Sequence, residues 1–369
     1  MIRVLVAYTT RNKNSGINKY LYNVVDIIKA KYNENIEFDF LASDYDDELK
    51  EYLKDKGNVY KIHSLKHPIK RYKDIDKIIK NNNYDVAYIN ISESFNICTA
   101  LAAKKNKIKR VAIHSHSDGP SGRNIFIRKI RTFINFIFKK RLCSCGTIFF
   151  ACSKQAGKWT FGKKIINSKK FLIINNTIDI KRYCYNDKAR EKYRKIYKIK
   201  DNEVLLGNIG NFNAQKNQIF LLKLIKELKN TKKYKLMLVG DGPLKRKFEK
   251  YIKKNGLDAY VIFTGSINNV NEIVQAMDIF LFPSFFEGFG IAALEAQAAG
   301  LPTVISNKVP EEVVMSDDVI KLPLNKEKWI ASILKLKKID RLNKKLGKKI
   351  YQFDNSNINQ YKYIIEKED

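Results

Sequence analysis

Between residues 101 and 170 the sequence has almost no acid: Asp118 stands against 18 Lys and Arg. Residues 1–100 are nearly balanced, with 16 basic and 14 acidic side chains, and residues 171–369 carry 36 and 23. Over half of the net charge of +32 therefore sits in under a fifth of the chain. A local field of that sign faces nucleic acid, lipid head groups or phosphorylated substrates, unless it only reflects a chain-wide preference for Lys, Asn and Ile. Cysteine is also scarce. Cys98, Cys143, Cys145, Cys152 and Cys184 form no CxxC pair, and Cys143-Ser-Cys145 is too tight for a zinc half-site. A disulfide scaffold is excluded, and reduced thiols of a cytosolic protein are the expectation. No apolar run approaches the roughly 18 residues of a spanning helix. The opening run Ile2–Ala7 lacks the longer apolar core and cleavage site of a signal peptide, so a cytoplasmic location is expected. Disorder is excluded by 44% hydrophobic and 12% aromatic residues, enough to bury real cores.

What is present is a β-α-β rhythm that runs twice. Ile2–Ala7 reads as a strand, followed by a polar loop with Ser15-Gly16 and a helix marked by Tyr20, Leu21, Val24, Val25 and Ile28. Phe38–Leu41, Asp85–Ile89, Val111–Ile113 and Thr147–Ala151 read as further strands. The rhythm restarts with Val204–Gly210, the helix Gln218–Leu228, and the strands Lys235–Val239, Val261–Phe263, Ile279–Phe282 and Thr303–Ile305. Runs of this kind belong to parallel sheets covered on both faces. The organisation read from them is an α/β protein of two Rossmann-like domains. Residues 1–180 form the first, 181–200 a linker and 201–345 the second, and 346–369 supply a C-terminal helix packing back toward the first.

The densest signal is the stretch from Pro283 to Ala296, PSFFEGFGIAALEA. A strand enters a turn with two glycines, Gly288 and Gly290, and a helix leaves it. That arrangement offers free backbone amides and a positive dipole end to an anion such as a nucleotide diphosphate. Glu287 in the turn and Glu295 in the helix suit sugar or ribose hydroxyls better than phosphate. The loop from Gly210 to Asn217 repeats the pattern of strand, glycine and helix, and Lys216 offers a point charge there. In the first half, His114 and His116 lie at the C-terminal end of a strand, the edge that faces ligand in doubly wound sheets. Substrate contact is their leading reading; a metal pair lacks a third ligand. Asp44-Tyr45-Asp46 has the DxD form of a metal site but reads as a helix start, and Asp74-Ile75-Asp76 is incidental in the same way.

Within the acid-poor stretch, Arg123–Arg141 (RNIFIRKIRTFINFIFKKR) is amphipathic at helical spacing. Asn124, Arg128, Arg131, Thr132, Asn135 and Lys139 share a narrow polar arc. Ile125, Phe126, Ile127, Ile130, Phe133, Ile134, Phe136, Ile137 and Phe138 fill the remainder, interrupted by Lys129 and Lys140. Seven basic residues with aromatics and no acid suit a helix lying on anionic lipid. The competing reading is a core helix with a basic rim. Nucleic acid is not an expected partner, because no module that binds it is readable.

These motifs resemble the retaining GT-B glycosyltransferases of family four, the group rich in bacterial capsule and exopolysaccharide enzymes. The likeness is firm over about 200–310 and looser over 1–180. It rests on the Glu287-to-Glu295 spacing, with Gly240-Asp241-Gly242-Pro243, Phe263-Thr264-Gly265, Pro283-Ser284 and Ala299-Gly300-Leu301-Pro302. The resemblance implies two Rossmann-like domains facing across a cleft, and transfer of a hexose or N-acetylhexosamine from a nucleotide diphosphate sugar, a UDP-sugar, to a lipid-linked oligosaccharide. It implies no cofactor or metal and a place on the inner face of the plasma membrane. Donor contacts would come from Gly210, Asn211, Lys216, Gly240, Glu287, Gly288, Phe289, Gly290, Ile291 and Glu295. Glu295 would take the ribose, Glu287 the sugar hydroxyls, the backbone of Phe289, Gly290 and Ile291 the diphosphate, and Lys216 the leaving-group charge. His116, or else His114, would sit by the sugar. The acceptor would enter near Ser15 and Gly16. Arg123, Arg128, Lys129, Arg131, Phe133, Phe136, Lys139, Lys140 and Arg141 would meet the membrane. Two departures stand out. Asn211 replaces the usual Arg, and the first-domain loop has one glycine where relatives often have two. Other readings of the same features are a sugar phosphorylase, a nucleotide-sugar epimerase or a non-enzymatic binder of acidic polymers.

Overall fold

The computed structural model describes residues 1–9, 16–32, 35–43, 47–120, 125–231, 233–336, 341, 346–354 and 361–366. The chain forms two compact units: residues 1–176 with 355–369, and residues 177–354. The first unit holds a seven-stranded sheet of β1 (Ile2–Thr9), β2 (Ile36–Ala42), β3 (Gly57–Lys61), β4 (Val86–Ile91), β5 (Arg110–Ser115), β6 (Ile148–Ala151) and β7 (Phe171–Ile173). Its spatial order is β3-β2-β1-β4-β5-β6-β7, every pairing parallel. The second unit holds β8 (Val204–Ile209), β9 (Tyr234–Val239), β10 (Val261–Gly265), β11 (Ile279–Phe282), β12 (Thr303–Ser306) and β13 (Val319–Leu322). Their order is β10-β9-β8-β11-β12-β13, again parallel throughout. Both are doubly wound sheets, in which strand order reverses once, between β1 and β4 and between β8 and β11. Ligand crevices form outside the carboxyl ends of strands at such a reversal.

Strand periodicity explains the cores. On β1, Val4 and Val6 enter one apolar cluster with Phe38, Phe40, Tyr88 and Phe150, while Leu5 and Ala7 enter another with Ile89, Ile113 and Phe149. In the second unit Leu206, Leu236, Leu238 and Leu281 pack with Phe212, Phe248 and Trp329. The strands without a sequence expectation are β3, β7 and β13, all at sheet edges and only half-buried. An edge strand needs no continuous apolar run, so its pattern is faint.

Residues 181–200 differ from the linker expected of them. They carry the helices Ile180–Tyr183 and Asp187–Ile196 and belong to the second unit. The buried carboxylate of Asp278 explains why. Arg190 donates to it at 2.6 Å and Arg194 at 3.1 Å, and the Leu205 amide donates at 2.7 Å. Arg190 also donates to the carbonyls of Gln275, Ala276 and Met277. Of the basic residues in that charged stretch, these two anchor it to the sheet. The division between units falls at 176/177. At the other end of the chain, the 3-10 turn Lys348–Phe353 lies in the second unit, while Tyr361, Ile364 and Ile365 fill the first unit's core and Arg110 donates to the Ile364 carbonyl at 3.0 Å.

Candidate active site

In the second unit the loops after β8 and β11, at the reversal, are stitched together. The Phe285 amide donates to the Gln215 carbonyl at 2.9 Å, the Gln215 side chain to the Phe286 carbonyl at 3.0 Å, and the Asn217 side chain to the Pro283 carbonyl at 3.2 Å. The neighbouring turn after β9 is pressed against them. Gly240 has φ +134°, and a Cβ there would lie 2.2 Å from the Gly210 carbonyl oxygen, so no other residue fits.

This stitching brings Lys216 and Glu287 together. Lys216 Nζ donates to Glu287 Oε1 at 2.6 Å and stands 4.9 Å from the centroid of the Phe282 ring. Their side chains are 19% and 7% exposed, so the pair is largely desolvated, and removing either charge strands the other. Gly288 and Phe289 are buried in the turn that follows. Gly290, at φ +105°, starts the helix Ile291–Ala298. A side chain there would be strained and would crowd Phe282. The first amides of a helix have no intrahelical acceptor, and Ile291 and Ala292 are the partly exposed residues of this turn. Glu295 lies within the helix, 7% exposed, and accepts a hydrogen bond from Tyr183 Oη at 2.5 Å. Burial, followed by the Glu295 carboxylate, drives the Tyr183 phenol well above its ordinary range, so it stays a donor. Tyr183 escaped sequence reasoning. It is one of several tyrosines in a charged segment, and nothing local marks it. Asn211 is exposed; its carbonyl accepts from the Gln218 side chain at 3.1 Å.

In the first unit the two histidines separate. His114 is inside β5 with no exposed surface, and its Nδ1 meets Tyr88 Oη at 2.8 Å and Tyr20 Oη at 3.3 Å. Burial, then the neighbouring His116 ring, pushes its imidazole well below the usual range. A ring with no accessible surface cannot touch substrate, so His114 is a core residue, which corrects its place among the candidates. His116 follows the strand end, half-buried, stacked on His114 with ring centroids 4.2 Å apart. Burial lowers it to about 3, so it is neutral at physiological pH. Its Nε2 is 2.8 Å from Asn90 Oδ1 on β4, a second residue that sequence reasoning missed. Gly16 is the first residue of the helix Gly16–Tyr32, and Ser15 and Asp44-Tyr45-Asp46 lie outside the described residues. Asp74 instead holds His63 at 2.6 Å, and Asp76 accepts from Asn106, Lys80 and Lys105. Among the described residues no cluster of His, Cys, Asp and Glu forms a metal site.

The helix Ile125–Cys143 is turned the opposite way from a core helix. Its polar arc faces the protein. Asn135 is buried, accepting from the Ser94 amide at 2.5 Å and donating to the Trp159 carbonyl at 3.0 Å. Arg131 pairs with buried Glu93 at 3.0 Å, and half-buried Lys139 donates to the Lys158 carbonyl at 3.5 Å. The apolar face points outward: Phe126, Phe133 and Phe136 are 69%, 65% and 73% exposed, and Ile130 and Ile137 are exposed with them. This overturns the reading as a core helix with a basic rim. It also removes Arg131 and Lys139 from the outward-facing basic set, which comprises Lys129, Lys140 and Arg141, with Arg128 half-buried. Arg123 lies outside the described residues. No helix among the described residues is long and apolar enough to cross a membrane.

Residues 189–353 match the family described as glycosyl transferases group 1, and that span contains Gly210, Lys216, Gly240, Glu287, Gly290 and Glu295. That stretch is a glycosyltransferase group 1 domain. Among its relatives is a Bacillus subtilis protein named as the glycosyltransferase EpsF, 28% identical over 298 residues, which are 79% of this chain and 76% of that one. An Escherichia coli relative, 23% identical over 70% of this chain and 68% of its own, is named as the α-1,3-galactosyltransferase that uses UDP-Gal and N-acetylglucosaminyl-diphosphoundecaprenol. Among solved structures, Anabaena HepE in complex with UDP and glucose superposes with a TM-score of 0.77, at 17% identity over 98% of both chains. At that identity the likeness shows the fold, which is GT-B.

Proposed function

We propose that this glycosyltransferase moves a hexose or N-acetylhexosamine from a UDP-sugar to a lipid-linked oligosaccharide in the synthesis of capsule, exopolysaccharide or another surface glycan, with retention and without a metal. The observation that carries the reading is the desolvated Lys216–Glu287 pair at the reversal of the second sheet, beside the helix entry at Gly290. When the donor arrives, Lys216 exchanges Glu287 for the diphosphate, and Glu287 is freed to accept from sugar hydroxyls. The amides at Ile291 and Ala292 add further donors to the phosphate. Glu295, already oriented by Tyr183, accepts from the ribose. The bond between the anomeric carbon and the bridging phosphate oxygen breaks, the acceptor hydroxyl attacks the anomeric carbon from the same face, and its proton passes to the departing phosphate oxygen. Charge growing on that leaving group is what Lys216 stabilises. In this reading His116 is assigned to the sugar and Gly16 to the acceptor. The UDP-bound fold neighbour and the E. coli relative's undecaprenol-linked acceptor support this choice of donor and acceptor.

A thermal-shift series with UDP-galactose, UDP-glucose and UDP-N-acetylglucosamine tests the donor reading, because a bound ligand raises apparent stability by mass action. One of them should raise the melting temperature of the wild type and fail to do so in Glu295→Gln. No shift with any nucleotide sugar sinks the proposal. Phosphate-dependent turnover, or donor isomerisation without acceptor, would point instead to phosphorolysis or epimerisation.

The outward apolar face of Ile125–Cys143, flanked by Lys129, Lys140 and Arg141, supports the reading of an enzyme bound peripherally to an anionic membrane, at the inner face of the plasma membrane. Binding to phosphatidylglycerol vesicles should be salt-sensitive. It should fall in a Lys129→Glu, Lys140→Glu, Arg141→Glu variant and in Phe133→Ser, Phe136→Ser, both of which leave the contacts of Asn135 and Arg131 intact. Undiminished binding by both variants removes this helix from the account.

A further inference from the structure

Residues 119–178 hold 13 lysines and arginines and no acid. Seven of them lie in Arg123–Arg141, and of those described only Lys129, Lys140 and Arg141 are exposed. The other six come after that helix, and all are exposed: Lys154, Lys158, Lys163, Lys164, Lys169 and Lys170. They belong to the helices Lys154–Thr160 and Lys163–Ile166 and to the turn that leads into the edge strand β7.

This lysine-bearing segment is packed along the helix Ile125–Cys143. The Trp159 carbonyl accepts from Asn135, the Lys158 carbonyl from Lys139, and the Phe161 carbonyl from the Cys143 thiol at 3.6 Å. A Cβ on Gly162 would lie 3.3 Å from Lys139 Cδ. Phe138 and Leu142 of the helix share one apolar cluster with Phe161 and Ile165 of the segment and with Ile113 and Phe149 of the sheet. Helix and segment therefore form one layer on one face of the sheet. Their inner sides are occupied by the sheet and by each other, so what they leave exposed looks outward from the same layer. The phenylalanine ridge of the helix has a lysine apron beside it. Chain-wide composition does not account for the apron. On the helices Pro68–Asn81 and Cys98–Lys105, Lys80 and Lys105 share the carboxylate of Asp76. In the second unit Lys192 and Lys326 pair with Glu272 and Glu227. Among the described residues, Lys158, Lys163, Lys164, Lys169 and Lys170 make no ion pair.

We infer that Lys158, Lys163, Lys164, Lys169 and Lys170 form the headgroup-binding half of the membrane contact, meeting the phosphates of anionic lipid while the phenylalanine ridge beside them enters the acyl boundary. This deepens the reading of Ile125–Cys143 as the membrane-bound helix and rests on it. Charge complementarity selects an anionic partner, and the ridge selects a bilayer over a soluble polyanion. Only a bilayer offers an anionic layer and an apolar interior side by side. Lysine fits the task, since a point charge on a flexible stem reaches phosphates at varied depth without a fixed geometry.

The test is cosedimentation of the full chain with phosphatidylcholine vesicles, with and without phosphatidylglycerol, over a series of salt concentrations. Replacing the five lysines with glutamine should weaken binding to the anionic vesicles on the order of 10²-fold or more and flatten its salt dependence, each basic residue at such a surface being worth about fivefold. The five are exposed, so the variant should melt with the wild type. A second variant removes the same charge from the second unit: Arg246, Lys247, Lys250, Lys253 and Lys254, exposed on the helix Lys245–Asn255, become glutamine. It should bind as wild type does. Equal weakening by the two variants makes net charge the cause and overturns the inference, as does undiminished binding by the first. Phe133→Ser, Phe136→Ser separates the apron from the helix. It should weaken binding to both kinds of vesicle and keep the salt dependence. If it loses binding and the lysine variant does not, the helix is the membrane contact and the apron is no part of it. If wild type binds neither kind of vesicle, the membrane reading fails and the inference with it. A lysine variant that keeps its vesicle binding and loses only binding to inorganic polyphosphate assigns the surface to a soluble polyanion and overturns the lipid.

Discussion

The strand ends of the two units solve different electrostatic problems. In the second unit, groups of opposite charge are paired in a largely dry place. Lys216 and Glu287 hold each other, and Tyr183 stays protonated to donate to Glu295. In the first unit the same kind of strand end is neutral. His114, His116, Tyr20, Tyr88 and Asn90 are tied by uncharged hydrogen bonds, and burial keeps both imidazoles unprotonated. One fold plan thus supplies a charged end suited to a diphosphate and an uncharged end suited to hydroxyls. The difference comes from which side chains stand at the carboxyl edge, since the parallel sheets behind them are built alike.

The sharpest way to break this contrast is Lys216→Met. It keeps the side-chain stem but removes the charge, and kcat/KM should fall by about 10²–10³, as for loss of a main electrostatic contact to developing charge. A fall below about tenfold would mean that the charged end of the molecule lies elsewhere. Gly290→Ala comes next. At φ +105° the methyl is strained and meets Phe282, so stability of the second unit should drop by about 1–2 kcal/mol in denaturant titration. A neutral result would say that the turn relaxes easily and that its amides are not fixed in advance. Tyr183→Phe removes one hydrogen bond to Glu295, and donor affinity measured by calorimetry should weaken about five- to tenfold with little change in kcat.

The smallest effect concerns the neutral end. His116 is lowered to about 3, below the roughly 6.5 of an unfolded histidine, so the unfolded chain binds its proton first as pH falls. The contribution is fully present above about pH 6.5 and is lost progressively toward pH 3. His114 acts in the same direction. Melting temperature should therefore fall between pH 7 and pH 5, and His116→Gln should fall less steeply over that interval. Equal slopes would show that His116 is not held neutral by the fold.

Much of this was legible in the sequence where physics makes a local mark. Central parallel strands are buried on both faces, so β1, β4, β8 and β11 announce themselves as apolar runs. The turn from Glu287 to Gly290 is legible because a sharp entry into a helix demands glycine. Edge strands β3, β7 and β13 left no comparable mark, because half-exposed backbone tolerates mixed composition. The Lys181–Lys200 segment read as a linker because the carboxylate that anchors it, Asp278, is some ninety residues away in sequence. In Ile125–Cys143 the sequence defined two faces but not which of them meets the protein. Glu93 and the backbone around Ser94 and Trp159 decided that, by accepting Arg131 and Asn135 into the interior.

The sequence by itself determined the two doubly wound units, the glycine turns and the chemical types gathered at the second unit's strand ends. These depend on periodicity and on backbone conformations that few residues adopt. Only the tertiary structure decided that His114 is core while His116 reaches the strand end, that Asn90 and Tyr183 hydrogen-bond to the groups beside them, and that a phenylalanine-rich face is left open. Each of these depends on which distant side chain supplies a partner. Burial and hydrogen bonding are properties of pairs brought together by folding, and no single stretch of chain contains both members.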